Sequence, residues 1–238
     1  QTPQFKGAGM VMIAEQQGTG RNTLARQLEH LFGHHNMANL NFDDLINGKD
    51  QFATWQKKLF AICDETLSVQ NSNTTYKAYE RLKEIVDPTA KWVEINPKNE
   101  ARYNVLSCTS IMLFSNHIDA LSIAADDRRF FILKNAPERR SPEYFLEHNA
   151  WLDKGDWVAA VWNWLNDRNL DEFDGAAPVI ANSTKTTMIE AGENSLSRIS
   201  RIAIELYPAT LIPVSMVRDT IVGLDDKLGL NLGNNARN

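Results

Sequence analysis

The residues best equipped for chemistry are carboxylates, arginines and an asparagine that follow apolar runs, together with a glycine-containing loop near the start of the chain. The loop lies in AEQQGTGRNTLARQLEHLFG, Ala14 to Gly33. A phosphate-binding loop reads G-x-x-x-x-G-K-[ST]; in that register the chain has Glu15, Gly20, Arg21 and Asn22, a match at Gly20 alone. The physical requirements are better met than the pattern. Gly18 and Gly20, with Thr19 between them, let the backbone curl until its N–H groups converge, and the helix that follows turns its positive end toward the same point. Arg21 keeps a cation where lysine is usual, and its planar fork can grip phosphate oxygens, though it is not equivalent to an ammonium. Asn22 offers a carbonyl oxygen to Mg²⁺. Thr23 completes the phosphate-binding set but stands about 100° further round the helix, so it cannot take over the role of Asn22. Read alone, the stretch also fits an ordinary strand-loop-helix turn.

About 40 residues later the apolar run Leu59 to Cys63 ends in Asp64 and Glu65. Hydrolysis of a nucleotide needs one carboxylate to hold hydrated Mg²⁺ and another to orient or deprotonate water, and a buried strand ending in Asp-Glu supplies both. Acids at strand ends are also common without that role. Asn116, after the run VLSCTSIMLFS, has the place of a polar sensor of the γ-phosphate or the water. Arg128 and Arg129 precede another apolar run, Phe130 to Leu133; they read either as arginines reaching into a neighbouring subunit or as surface partners of Asp126 and Asp127. Lys98 sits in the turn of KWVEINPKNEARYNV, with Lys91 and Arg102 nearby, and reads as a nucleic-acid backbone contact or as a solvated turn.

The elements that must position these groups follow from periodicity. GMVMIA at 9–14 is a short strand, and Leu24, Leu28, Leu31 and Phe32 repeat at helical spacing until Gly33. Tyr79, Leu82, Ile85 and Val86 mark a second helix that stops before Pro88. Alternation around Trp92 to Ile95 predicts a β-hairpin. Strands alternating with helices indicate an α/β domain with a mostly parallel sheet, whose ligands bind at strand ends. From Ser141 the pattern is helical; Trp157, Val161, Trp164 and Leu165 are expected to face a core, with an aromatic stacking platform as the alternative. Residues 176–184 read as a linker, and helical segments near 193–206 and 213–222 as a packed pair or a small winged-helix unit. The domain reading is thus a core over 1–140, a helical extension over 141–180 and a C-terminal helical subdomain over 181–238.

Composition narrows the function classes. The 238 residues are 43% hydrophobic, enough to bury a core, and the net charge of −5 weighs against a broad basic surface that would coat nucleic acid. Cys63 and Cys108 lie in apolar runs and are expected to be buried thiols in a reducing compartment, with no zinc site. No apolar run approaches the roughly 20 residues of a membrane helix, so a cytoplasmic chain without a membrane partner is expected. The missing initial Met and abrupt ends predict a piece of a longer polypeptide.

Taken in order, GTGRN, LFAICDE, WVEINPKNEARY, MLFSNH and DDRRFFIL resemble the Walker A, Walker B, B-prime, sensor-1 and arginine-finger elements of superfamily III helicases. In particular the chain resembles the helicase part of phage and prophage primase-helicases, over residues 7–135. The resemblance implies an AAA+-like P-loop NTPase fold, a homo-oligomeric ring that is usually a hexamer, ATP and Mg²⁺ as cofactors, single-stranded DNA as partner, and a primase-polymerase domain fused upstream. It assigns the phosphates and Mg²⁺ to Gly18, Gly20, Arg21 and Asn22, the metal to Asp64, activation of water to Glu65, γ-phosphate sensing to Asn116, action in trans to Arg128 or Arg129, and DNA contact to Lys98. Arg21 and Asn22 depart from the usual Lys and Ser or Thr, which bears on the rate of hydrolysis. The rival expectations are a nucleotide-binding but catalytically weak DNA-binding module of a replication complex, and a nucleoside-phosphate transferase on the same kind of sheet.

Overall fold

Short runs rich in β-branched and apolar residues form the strands, and in a sheet covered on both faces they are apolar on both faces. The computed structural model describes residues 7–42, 54–64, 72–87, 91–97, 99–175, 177–193, 200–202, 205 and 213–228. Its central sheet contains β1 (Gly9–Ile13), β2 (Met37–Leu40), β3 (Phe60–Cys63), β6 (Ser110–Ser115) and β7 (Phe130–Lys134), in the order β2-β3-β6-β1-β7 with every neighbouring pair parallel. This is a P-loop-type α/β architecture flanked by helices. β4 (Lys91–Ile95) and β5 (Tyr103–Ser107) form the expected antiparallel hairpin, as a separate two-stranded sheet.

Period-two alternation decides what each face buries. Val11, Ile13, Ala61, Cys63, Ile111, Leu113 and Ile132 point to one face, where they meet Tyr79 and Leu82 of α2 (Ser72–Ile85) and Met188 of α5 (Ser183–Gly192). Ile62, Met112 and Phe114 point to the other face, against Leu24, Ala25 and Leu28 of α1 (Arg21–Phe32). Gly33, at φ 87°, ends α1 as its spacing predicts, its N–H donating to Glu29 O.

After β7 come α3 (Pro142–Lys154) and α4 (Asp156–Asn166), hinged at Gly155 with φ 74°. Ser141 caps α3 by accepting from the Tyr144 N–H, with Pro142 in the first turn. Arg26 of α1 pairs with Asp153 at 2.7 Å, and Trp157 is buried with its Nε1–H on Leu152 O. The helical stripe is only partly a core stripe: Trp157 is buried, but Trp164 is 58% exposed and Leu165 is exposed as well. Cys63 is buried as expected, while Cys108 is only half-buried.

The stretch expected to be a linker carries ordered bonds. Val179 N–H donates to Arg128 O, Asn182 Nδ2 donates to Ile132 O, and Asn182 Oδ1 caps α5 by accepting from Lys185 N–H. The helix therefore starts at Ser183, inside that stretch; of the segment near 193–206 little lies in the described residues, and α6 (Val214–Leu228) follows.

Lys185 enters the core. Its ammonium donates to Asp127 Oδ1 at 2.9 Å, Asp127 O at 2.7 Å and Phe130 O at 3.1 Å, and both side chains of this ion pair are buried. Asp127 also accepts from the Arg129 and Phe130 N–H groups and from the Tyr79 hydroxyl. Burial opposes ionisation of Asp127, but the Lys185 bond and the backbone donors outweigh it, and the carboxyl lies below its usual range. The Tyr79 hydroxyl is held protonated, by burial first and by Asp127 second.

Because a lowered folded-state pKa stabilises only while the group is ionised, this contribution is complete above the ordinary Asp pKa near ~4 and is lost as pH falls through the lower folded value. Asp127→Asn, which strands the Lys185 charge, is expected to cost about 3–5 kcal/mol in urea denaturation at pH 7. A loss below 1 kcal/mol would show that the pair does not hold β7 to α5.

Candidate functional site

All five strands of the central sheet point the same way, so their C-terminal ends share one edge. The register Ile13↔Ser115 and Cys63↔Leu113 brings the ends of β1, β6 and β3 side by side there, and with them the loop after β1, Asn116 and Asp64. The loop has the backbone its glycines predict: Gly18 lies at φ 76° and Gly20 at φ 98°, both in the region that favours glycine. Gly20 immediately precedes α1, and its carbonyl accepts the helix's first bond, from Leu24 N–H.

Contacts with both neighbouring strands fasten this loop. Ala14 N–H donates to Ser115 O on one side, and Asn135 N–H donates to Ile13 O on the other. The Asn135 amide reaches Thr19 Oγ1 at 3.1 Å and Thr19 O at 3.4 Å, while Lys134 pairs with Glu15 at 2.7 Å. Asn135 was not legible as a loop anchor, because its role depends on the β1–β7 register.

Arg21 spans the edge. Its Nη1 donates to Ser115 O at 2.6 Å and its Nη2 to Asn116 Oδ1 at 2.6 Å, with the guanidinium 5.9 Å from the centre of the Phe114 ring. Burial lowers the Arg21 pKa and the Asp64 carboxylate opposes that shift, so the two groups share one electrostatic neighbourhood. The cation standing in the usual lysine position thus joins the loop helix to the expected sensor. With Oδ1 engaged, the amide Nδ2 of Asn116 is the end left to donate.

Two cavities flank this junction. One, of about 480 Å³, is lined by all six loop candidates, Gly18, Thr19, Gly20, Arg21, Asn22 and Thr23, and closed by Arg139, Pro142, Phe145, Leu146 and Asn149. The second, about 720 Å³, is lined by both Asn22 and Asp64. The polar floor of the first and its apolar wall on α3 match a ligand with an anionic end and a flat organic end. Phe145, Leu146 and Asn149 were not singled out from the sequence; the cavity wall follows from how α3 packs on α1. Asn22 and Asp64 offer two oxygen donors, few enough to suit hydrated Mg²⁺ whose other ligands are waters and phosphates. Among the described residues no group of three or more His, Cys, Asp or Glu could hold a metal.

Other candidates lie elsewhere. Arg128 and Arg129 precede β7, and the pairing Gly9↔Phe130 puts them at the opposite, N-terminal edge of the sheet, roughly 16 Å of strand away from the loop. Asp127, one of the acids that might have neutralised them at the surface, faces Lys185 instead. Arg102 pairs with Glu94 across the hairpin at 3.1 Å, and both side chains are solvent-exposed. Glu65, Lys98 and the Lys91 side chain fall outside the described residues. Trp92 on β4 is 72% exposed.

A family described as of unknown function (DUF5906) matches residues 12–129, just under half of the chain. The apo structure of the NrS-1 C-terminal region superposes with a TM-score of 0.67 at 20% identity, covering 94% of this chain and 58% of that one. An A-form apo structure of the same region gives a TM-score of 0.65 at 22% identity, covering 100% and 52%. The chain thus spans little more than half the length of these neighbours, and at such identities the likeness is one of fold. No curated protein matches the sequence. Among the described residues no helix is long and apolar enough to cross a membrane.

If Asn135 anchors the loop, Asn135→Ala will speed amide hydrogen exchange at Thr19 to Arg21 and cost about 1 kcal/mol of global stability. Unchanged exchange across those residues would assign the loop's order to its own backbone.

Proposed function

We propose that this chain is the ATP-hydrolysing motor domain of a ring-forming DNA helicase from a phage-type replication protein, translocating on single-stranded DNA. The observation that carries the reading is the junction of Arg21, Asp64 and Asn116 at the strand edge, beside a cavity floored by the glycine loop. The order of motifs in the sequence and the fold shared with the NrS-1 C-terminal region support it.

In this reading the loop N–H groups and the start of α1 hold the phosphates of ATP, and Asn22 and Asp64 hold Mg²⁺. When bound, the metal would neutralise charge on the β- and γ-phosphate oxygens. Glu65 orients the attacking water and accepts its proton. The Asn116 amide donates from Nδ2 to the γ-phosphate or that water. Arg128 and Arg129, on the far edge from their own loop, stabilise transferred charge in the next subunit, probing its site across the subunit boundary of a hexamer. The β4–β5 hairpin carries Lys98, Lys91 and Arg102 toward the DNA backbone, and exposed Trp92 adds a surface on which a base stacks. An upstream primase-polymerase domain and a cytoplasmic setting in the bacterial host belong to the same reading.

The engagement of Arg21 with Ser115 and Asn116 favours one rival, a nucleotide-binding but catalytically weak assembly module. Steady-state ATP hydrolysis with and without single-stranded DNA, at concentrations that favour assembly, separates the two. The motor reading expects hydrolysis that DNA stimulates and Glu65→Gln abolishes. Nucleotide binding without turnover by an assembled ring would establish the rival.

For the hairpin, Lys98→Ala is expected to weaken single-stranded DNA binding and reduce its salt slope by about 1 while basal hydrolysis stays within twofold. Loss of basal hydrolysis instead would move Lys98 to the nucleotide site.

A further inference from the structure

The cavity above the glycine loop contains a second cation, and its situation is the reverse of that of Arg21. Arg139 lies in the segment between β7 and α3, and its guanidinium is stacked so closely on the loop that a Cβ placed on Gly18 would lie 2.9 Å from Nε and 3.0 Å from Cζ. Arg21 is half-buried and gives both terminal nitrogens to Ser115 and Asn116. Arg139 is exposed, lines the cavity, and among the described residues makes no hydrogen bond or ion pair. Its neighbour Arg140 is committed elsewhere, 5.7 Å from the centre of the Tyr144 ring.

We propose that Arg139 is a phosphate ligand acting within its own subunit, supplying to the nucleotide the mobile positive charge that Arg21, tied to Ser115 and Asn116, does not offer. The inference rests on the reading of the loop cavity as a nucleotide site, and it names the group that grips the phosphates there. The segment bearing Arg139 is registered to the loop by Asn135, whose amide holds Thr19, and the guanidinium lies against the loop at Gly18. A guanidinium held there with free N–H donors matches the oxygens of a di- or triphosphate in charge and in forked geometry. Gly18 serves this contact twice: its φ of 76° bends the loop, and its missing side chain leaves room for Arg139.

Arg139 is exposed and makes no hydrogen bond or ion pair among the described residues, so its replacement removes only its packing on the loop at Gly18. The test is a fluorescence titration with an N-methylanthraniloyl derivative of ATP at several salt concentrations, on the unaltered chain, Arg139→Ala, Arg139→Lys and Arg140→Ala. Arg139→Ala should weaken binding by about tenfold or more and flatten the salt dependence, Arg139→Lys should recover part of both, and Arg140→Ala should stay within about twofold of the unaltered chain. If Arg139→Ala binds as tightly as the unaltered chain with the same salt slope, the proposal is wrong while the cavity remains the nucleotide site. If the unaltered chain itself binds no nucleotide, the reading of the cavity fails and the proposal fails with it.

Discussion

A sheet of parallel strands has a single C-terminal edge, and the glycine loop, Asp64 and Asn116 take their places from that constraint. Groups that follow β1, β3 and β6 are brought together without being near in sequence, because the strands that deliver them end side by side. Groups that precede a strand are carried to the opposite edge by the same geometry, which is why Arg128 and Arg129 stand apart from the glycine loop. Both positions come from strand direction, with no further contact needed to impose them. The helices add what the strands cannot: α1 turns its N-terminus to the loop, and α3 closes the cavity above it.

Within that edge, the substitution of arginine for lysine changes how charge is organised. A lysine is a flexible point charge with three donors; an arginine offers a rigid fork that satisfies two acceptors at once. Here the fork is used inside the protein, between a strand carbonyl and an asparagine amide, both at 2.6 Å. The bonds couple the first turn of α1 to the end of β6, so the glycine loop and Asn116 form one hydrogen-bonded unit, in the electrostatic neighbourhood of Asp64. Arg139, which lines the same cavity, makes no hydrogen bond or ion pair among the described residues.

The fold was legible wherever local pattern and final environment agree. GMVMI, the Leu24–Phe32 stripe, the KWVEI hairpin arm and the run before Asn116 all became the elements their periodicity predicts; GMVMI and the run before Asn116 are buried in the core, the α1 stripe packs half-buried against it, and Trp92 of the hairpin stays exposed. β2 was not seen, because MANL is short, mixed in polarity and paired on one side only, at the sheet edge. The stripe on α4 was over-read: helical spacing specifies which residues share a face but not whether a partner covers it, and Trp164 remains exposed. Of the site, Gly18, Gly20, Arg21, Asp64 and Asn116 could be named from their places after apolar runs. Asn135, Arg139 and the α3 wall could not, because they are made by long-range register and packing. Lys185 was invisible for the same reason, a charged residue whose burial depends on an acid far earlier in the chain.

That distance has a consequence for synthesis. Asp127 and Lys185 are separated by 58 residues, so a ribosome working at ~5–20 residues per second delivers the acid about 3–12 s before the base. During that interval the sheet can assemble through β6, but the turn before β7 holds a carboxylate whose buried site lacks its counter-charge. The buried ion pair cannot form until α5 has been made, so the native packing around the turn before β7 is complete only after translation of the segment that supplies Lys185.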